Sequence, residues 1–206
     1  MTSHSAKRLR AGRRIVAVVA IGAIAYAGVG CTSTITPPSD VADPTTVWLL
    51  REAMHTGLVL PPLQPGAPFV EFGFGDWSWF ALGNDAWYQA FATVLWPTQG
   101  ALGRREFLAN DGDGLRRAAS WAELEPVVVG SDRVQALHSE LQAAFTARLA
   151  DAVQQPRLGW TFVPASDDLG GYWFANTCAD AAATWFQALG CDVSWVPIRS
   201  SLQVAK

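Results

Sequence analysis

His55-Thr-Gly-Leu-Val-Leu-Pro61 and Phe69-Val-Glu-Phe-Gly-Phe-Gly75 are two short apolar runs separated by Pro62, Pro65 and Gly66. Their lengths, their β-branched and aromatic content and the break between them read as two strands joined by a turn. Just upstream, Thr46-Val-Trp-Leu-Leu-Arg51 is a further run of the same kind, so three successive strands form a β-meander. Toward the C-terminus the signals become helical. Asn84-Asp85 can cap a helix through Trp87, Phe91, Leu95 and Trp96 that Pro97 stops. A longer helix begins near Ser131-Asp132 and sets Val134, Leu137, Leu141, Phe145, Leu149 and Val153 on one face. Trp160 to Pro164 is a strand or an extended loop, and Asp167-Asp168-Leu-Gly-Gly171 is a turn. A last helix opens at Thr177, with Asp180 at capping-box spacing, and stops at Gly190. Strands gathered first and helices mostly later predict an α+β domain, an antiparallel sheet packed against helices.

The N-terminus carries Lys7, Arg8, Arg10, Arg13 and Arg14 without an acidic residue, then an apolar run from Ile15 to Val29. That is the layout of an export signal over residues 1–30, and its apolar run falls short of the ~20 residues that span a bilayer comfortably. Ala27-Gly-Val-Gly-Cys31 resembles a lipobox, although Gly28 stands where a larger apolar residue is usual. Cys31 is therefore the candidate lipidation site, two acyl chains being enough for stable anchoring; an uncleaved anchor is the alternative. Either way the partner is a membrane, and the compartment is the cell envelope, on the periplasmic side in a Gram-negative cell. Residues 31–46, polar and proline-bearing, read as a flexible tether, and 47–206 as one domain with a core of its own. Charged residues make up only 16% of the chain and the net charge is -3, with no basic run beyond the signal, which excludes a nucleic-acid role. Ten tryptophans are either core filling or the walls of an aromatic groove.

Two cysteines remain in the domain, Cys178 and Cys191. If 178 to 190 is helical, at 1.5 Å rise per residue their α-carbons lie roughly 15 to 20 Å apart, too far for a disulfide, which needs less than ~7 Å. Cys178 is then a thiol in the first turn of a helix, where unpaired amides and the dipole favour the thiolate. That effect, about 0.3 to 1 kcal/mol, is smaller than the ~1.4 kcal/mol of one decade, so a base is required. His138 lies inside the long helix beside Leu137 and Leu141 and reads as structural. His55 heads a strand beside Thr56 and Gly57, where small neighbours leave room for another segment. Glu71, on the partner strand, is placed to orient the imidazole as third member of a nucleophile, base and orienter set, with Asp76 the competing candidate. No cysteine-histidine spacing suits zinc, the Gly73 and Gly75 pattern lacks the strand-to-helix context of a nucleotide site, and no cofactor is expected.

His55-Thr-Gly-Leu-Val-Leu, Glu71-Phe-Gly-Phe-Gly-Asp-Trp and Asn176-Thr-Cys-Ala-Asp-Ala-Ala-Ala-Thr-Trp, in that order, resemble an uncharacterised bacterial family of exported proteins, conserved hypothetical proteins sometimes found near urease genes. The resemblance runs from about Val47 to Cys191 and brings no established activity. A wider similarity reaches permuted papain-like enzymes: NlpC/P60-type hydrolases, PPPDE peptidases and lecithin:retinol acyltransferase relatives. It implies a permuted papain-like fold with Cys178 as nucleophile, His55 as base and Glu71 nearest the third polar position. Ala179 stands where many relatives carry asparagine. The expectation is a membrane-tethered cysteine hydrolase or acyltransferase acting on an amide or ester, its substrate a cell-wall peptide or a lipid acyl group. From a different class comes a non-catalytic envelope lipoprotein that binds peptidoglycan, lipid or a protein partner through Trp77, Trp79, Trp87 and Trp173.

Overall fold

Side chains alternate about a β-pleat, so a strand buried along its whole length must be covered on both faces. In the computed structural model, which describes residues 31–53, 55–84 and 96–206, this is the condition of the central strands: β3 (His55–Leu60) is buried beyond its first residue and β4 (Phe69–Asp76) throughout. They lie in a seven-stranded antiparallel sheet of order β6-β2-β3-β4-β5-β8-β7, with β2 Pro44–Glu52, β5 Gly100–Phe107, β6 Glu123–Gly130, β7 Val153–Gln155 and β8 Trp160–Pro164. The meander β2-β3-β4 is continued by β5, and the whole is α+β. On one face Leu49, Leu58, Leu60, Phe72, Phe74 and Leu102 pack into the main core with helices α2 (Ser131–Thr146) and α3 (Cys178–Ala188). The opposite face is closed in two patches. Trp48, Leu50, Val59, Phe69 and Phe107 pack with Leu115 of α1 (Gly112–Ala118), and Ala101, Trp160 and Phe162 pack with Ala81, at the end of a π-helical turn over Trp77–Ala81.

A second, three-stranded sheet corrects the expected tether. Cys31–Thr36 is strand β1, between β10 (Arg199–Val204) and β9 (Asp192–Val193), and the compact unit begins at Thr32. Ser33 and Ile35 are fully buried. The segment is polar, but threonine is β-branched and the pattern has a strand's period of two, which outweighs polarity once neighbouring strands pair with it. The expected export signal over residues 1–30, and residues 85–95 of the helix expected from Asn84 to Trp96, Trp87 among them, lie outside the described residues.

Helix α2 places Val134, Leu137, Leu141 and Phe145 inward as expected, but it stops at Thr146. Arg148 leaves helical geometry at φ -117°, and Leu149, 48% exposed, sits in a short 3-10 turn, while Val153 opens β7. Helix α3 has the expected start and stop. Asp180 accepts a hydrogen bond from the Thr177 backbone N–H at 2.9 Å, and Gly190 sits at φ +89°. No helix among the described residues is long and apolar enough to cross a membrane.

Candidate active site

Residues directly opposed in an antiparallel ladder point to the same face. Gly57 faces Gly73 and Gly73 faces Gly103, so three glycines in a row leave a trench across β3, β4 and β5. Side chains from both ends lie down in it. A Cβ on Gly57 would collide with Glu71 Oε1; on Gly73 it would stand 2.6 Å from His55 Cε1, and on Gly103 2.6 Å from Phe162 Cε1. Glycine is required here for close approach.

In that trench His55 Nε2 lies 3.1 Å from Glu71 Oε1. Glu71 is fully buried, and its other oxygen accepts from Arg105 Nε at 2.9 Å and Nη2 at 2.6 Å. The register explains the pairing: Glu71 faces Arg105 on β5, and Arg105 faces Trp160 on β8. The guanidinium carbon lies 4.4 Å from the ring centres of both Trp121 and Trp160, a cation held between two aromatic faces. Trp160 also meets the His55 ring edge-on, with centres 5.4 Å apart.

Cys178 arrives from the other side. It is the first residue of α3, and this helix end meets the sheet where β3 begins and β4 finishes. The His55 imidazole hydrogen-bonds Cys178 as well as Glu71. Burial opposes charge on the ring; the hydrogen bonds to Cys178 and Glu71, and then the charges of both, outweigh it and raise His55 from 6.5 to about 9. Tyr172 feels the same site, its phenol pushed up by burial and then by Cys178, Asp76 and Asp180. The helix start is fixed from outside: Arg199 donates to Asp180 Oδ1 at 2.7 Å and to Ser33 Oγ of β1 at 2.9 Å. Strand β1 thus helps to position α3.

The structure brings together Cys178, His55 and Glu71. Asp76 has different work: one carboxylate oxygen accepts the Trp79 backbone N–H at 2.6 Å, capping the π-helical turn, and the other accepts the Thr98 hydroxyl. His138 packs edge-on against Phe72, its charge opposed by burial and then by Arg104. Cys178 and Cys191 are not disulfide-bonded, and burial pushes the Cys191 thiol up to about 11. Cys31 opens β1, half-buried. Among the described residues no group of three or more His, Cys, Asp or Glu could hold a metal ion. Arg105 was missed by sequence reasoning. Its signal was present, an arginine alternating with Gly103 and Phe107 in a stretch flanked by apolar residues.

Two hollows border His55. A cleft of about 750 Å³ is lined by polar groups including Arg51, Glu52, Thr56, Glu123 and Ser201, together with Trp121. A pocket of about 110 Å³ runs over Gly73 and Gly75 between Phe80, Trp160 and Phe162. Comparison with family models, curated proteins and solved structures finds no match to this chain.

Proposed function

We propose that the chain is an envelope cysteine enzyme that cleaves or transfers the acyl part of an amide or ester. One observation carries the reading: the imidazole of His55 is held between Cys178 and a carboxylate, Glu71, that is itself clamped by Arg105. A ring raised to about 9 is an imidazolium at neutral pH, so the sulfur has beside it the hydrogen-bonding cation and proton carrier that a cysteine nucleophile needs.

In the first step the Cys178 thiolate forms a bond to the carbonyl carbon, and the carbonyl electron pair moves to oxygen. Backbone N–H groups of Cys178 and Ala179, at the helix start, receive that oxyanion. The oxyanion collapses as the C–N or C–O bond breaks, and His55 gives its proton to the leaving nitrogen or oxygen. A thioester on Cys178 remains. Water, or the amine or hydroxyl of an acceptor, then attacks it; His55 takes the incoming proton and the thiolate leaves. Glu71 keeps the ring oriented and balances its charge through both steps, as an acid-base pair worth about 10²–10⁴ in rate requires.

The order of histidine strand, acidic strand and cysteine helix supports a permuted papain-like, NlpC/P60-type arrangement. The export signal and Cys31 support a position at the membrane, through a lipid or an uncleaved anchor, where a cell-wall peptide or a lipid acyl group is within reach. The test is labelling of the purified chain with iodoacetamide, mapped by mass spectrometry. Cys178 is expected to react faster than a free model thiol and to lose that advantage in His55→Gln; reaction no faster than the model thiol overturns the reading. The competing non-catalytic reading draws on Trp77, Trp79 and Trp173, each half-buried, to which Trp96 at 70% and Trp195 at 81% exposed are added. It wins if Cys178→Ala leaves the cellular phenotype intact while tryptophan substitutions abolish it.

A further inference from the structure

We infer that the pocket over Gly73 and Gly75 is a specificity subsite for a short apolar group flanking the scissile bond. The inference rests on the acyl-transfer reading and narrows its substrate class. Three features set the occupant. The lining is mostly aromatic, the rings of Phe80, Trp160 and Phe162, with Phe80 lying against Gly75 and with His55 and Trp160 lying against Gly73. His55 is part of the wall, so whatever fills the pocket lies beside the imidazole that moves the proton on the acyl-transfer reading. Its cation is already spent: Arg105 borders the pocket but is paired with buried Glu71 and stands 3.8 Å from Glu52, the carboxylate of the lining, so an anionic occupant would find no free cation there.

Size then separates the candidate substrates. An apolar cavity of roughly 150 Å³ accepts benzene, so about 110 Å³ suits a group of about four carbons, such as an aliphatic amino-acid side chain or a short acyl chain. A long lipid chain does not fit. An amide or ester bearing a short aliphatic side chain is the substrate class this selects over a membrane-lipid ester.

Leu158 borders the pocket and is 61% exposed, which makes it the place to block the opening without disturbing the core. The experiment measures the rate of Cys178 alkylation in the full chain by N-alkyl iodoacetamides from methyl to octyl, read on the Cys178 peptide by mass spectrometry. Sulfur displaces iodide in each, and only the alkyl tail changes. The rate is expected to rise by about fourfold per methylene to about four carbons and then to level or fall, as burial of each methylene predicts. Leu158→Trp should flatten the profile, and Phe162→Ala should move its maximum to longer chains. A flat wild-type profile, or one that Leu158→Trp leaves unchanged, while Cys178 still outpaces a model thiol, overturns the subsite and spares the catalytic reading. A Cys178 no faster than a model thiol with every tail overturns both.

Discussion

Removing one partner of the Glu71–Arg105 pair should destabilise the protein far more than its share of removing both. Glu71 has no exposure and Arg105 is 7% exposed, so each charge depends on the other for compensation. Glu52 stands 3.8 Å from Arg105 Nη2, but its side chain is 31% exposed and it can offset the guanidinium only in part. Leaving a buried charge unpaired costs about 3–5 kcal/mol, whereas replacing both members by neutral groups of similar volume is often close to neutral. Arg105→Met is the substitution to make, because the unbranched thioether keeps an apolar body between Trp121 and Trp160 while deleting the charge. Paired with Glu71→Gln it gives a double-mutant cycle. Each single change should lower the unfolding free energy in urea at pH 7 by about 3 kcal/mol or more, and the double should lose less than their sum by at least about 3 kcal/mol. Single effects that add within about 0.5 kcal/mol, or an Arg105→Met cost below about 1 kcal/mol, would refute the account of Arg105 as the anchor of the site.

His55 is raised from 6.5 to about 9, so its contribution to stability is complete below pH 6.5 and is lost as pH rises through about 9. That window holds on the order of 3 kcal/mol, and the wild-type urea midpoint should fall across it more steeply than that of His55→Gln; equal slopes would sink the assignment. Gly73→Ala places a Cβ 2.6 Å from His55 Cε1 and 3.0 Å from Trp160 Cη2. It should cost about 1–3 kcal/mol and slow Cys178 alkylation; a normal rate would mean that the ring does not lie in the trench in solution. Asp76→Asn should leave Cys178 alkylation nearly unchanged, whereas Glu71→Gln should slow it by roughly tenfold, and the reverse ranking would transfer the orienting role to Asp76. Ala53, in the turn before His55, sits at φ +29°, and Ala53→Gly should raise the unfolding free energy measured in urea by about 0.5–1 kcal/mol; a loss would show that the strain is absent.

What could be read from the sequence was local or short in range. Strands β3 and β4 announce themselves through β-branched and aromatic residues between proline breaks, and α3 through Thr177, Asp180 and Gly190, because turns and caps are decided within a few residues. Cys178, His55 and Glu71 followed from chemistry placed on those elements. Arg105 did not, since its partnership with Glu71 depends on which strand lies beside β4, and the pairing with β5 crosses the unread stretch from Gly100 to Phe107. Strand β1 was hidden for the same reason: Thr32 to Thr36 has no apolar run, and its pairing partners are at the far end of the chain. The overextension of α2 has the opposite cause. Leu149 and Val153 continue the helical spacing by coincidence, and one residue at Arg148 with non-helical backbone takes them out of it.

The glycines explain why the site sits in the middle of the sheet. A glycine inside a strand gives up packing and costs roughly 0.5–1 kcal/mol, so three aligned across β3, β4 and β5 are a local weakness unless something fills the space. Here the filling is ionic as well as aromatic. From the interior outward stand Arg105, Glu71, His55 and Cys178: a guanidinium that cannot deprotonate, a carboxylate bound to it, an imidazolium bound to the carboxylate and, on the proposed reading, a thiolate bound to the imidazolium. The signs alternate and sum to zero. Each buried charge therefore has an opposite neighbour within hydrogen-bonding distance, the condition under which burying charge is tolerable. Substituting any interior member leaves its neighbours uncompensated, so on the proposed reading the nucleophilicity of the sulfur at the mouth of α3 depends on an arginine joined to it through Glu71 and His55. That dependence is why Arg105, linked to Cys178 through Glu71 and His55, belongs on the proposed reading among the residues that position the site.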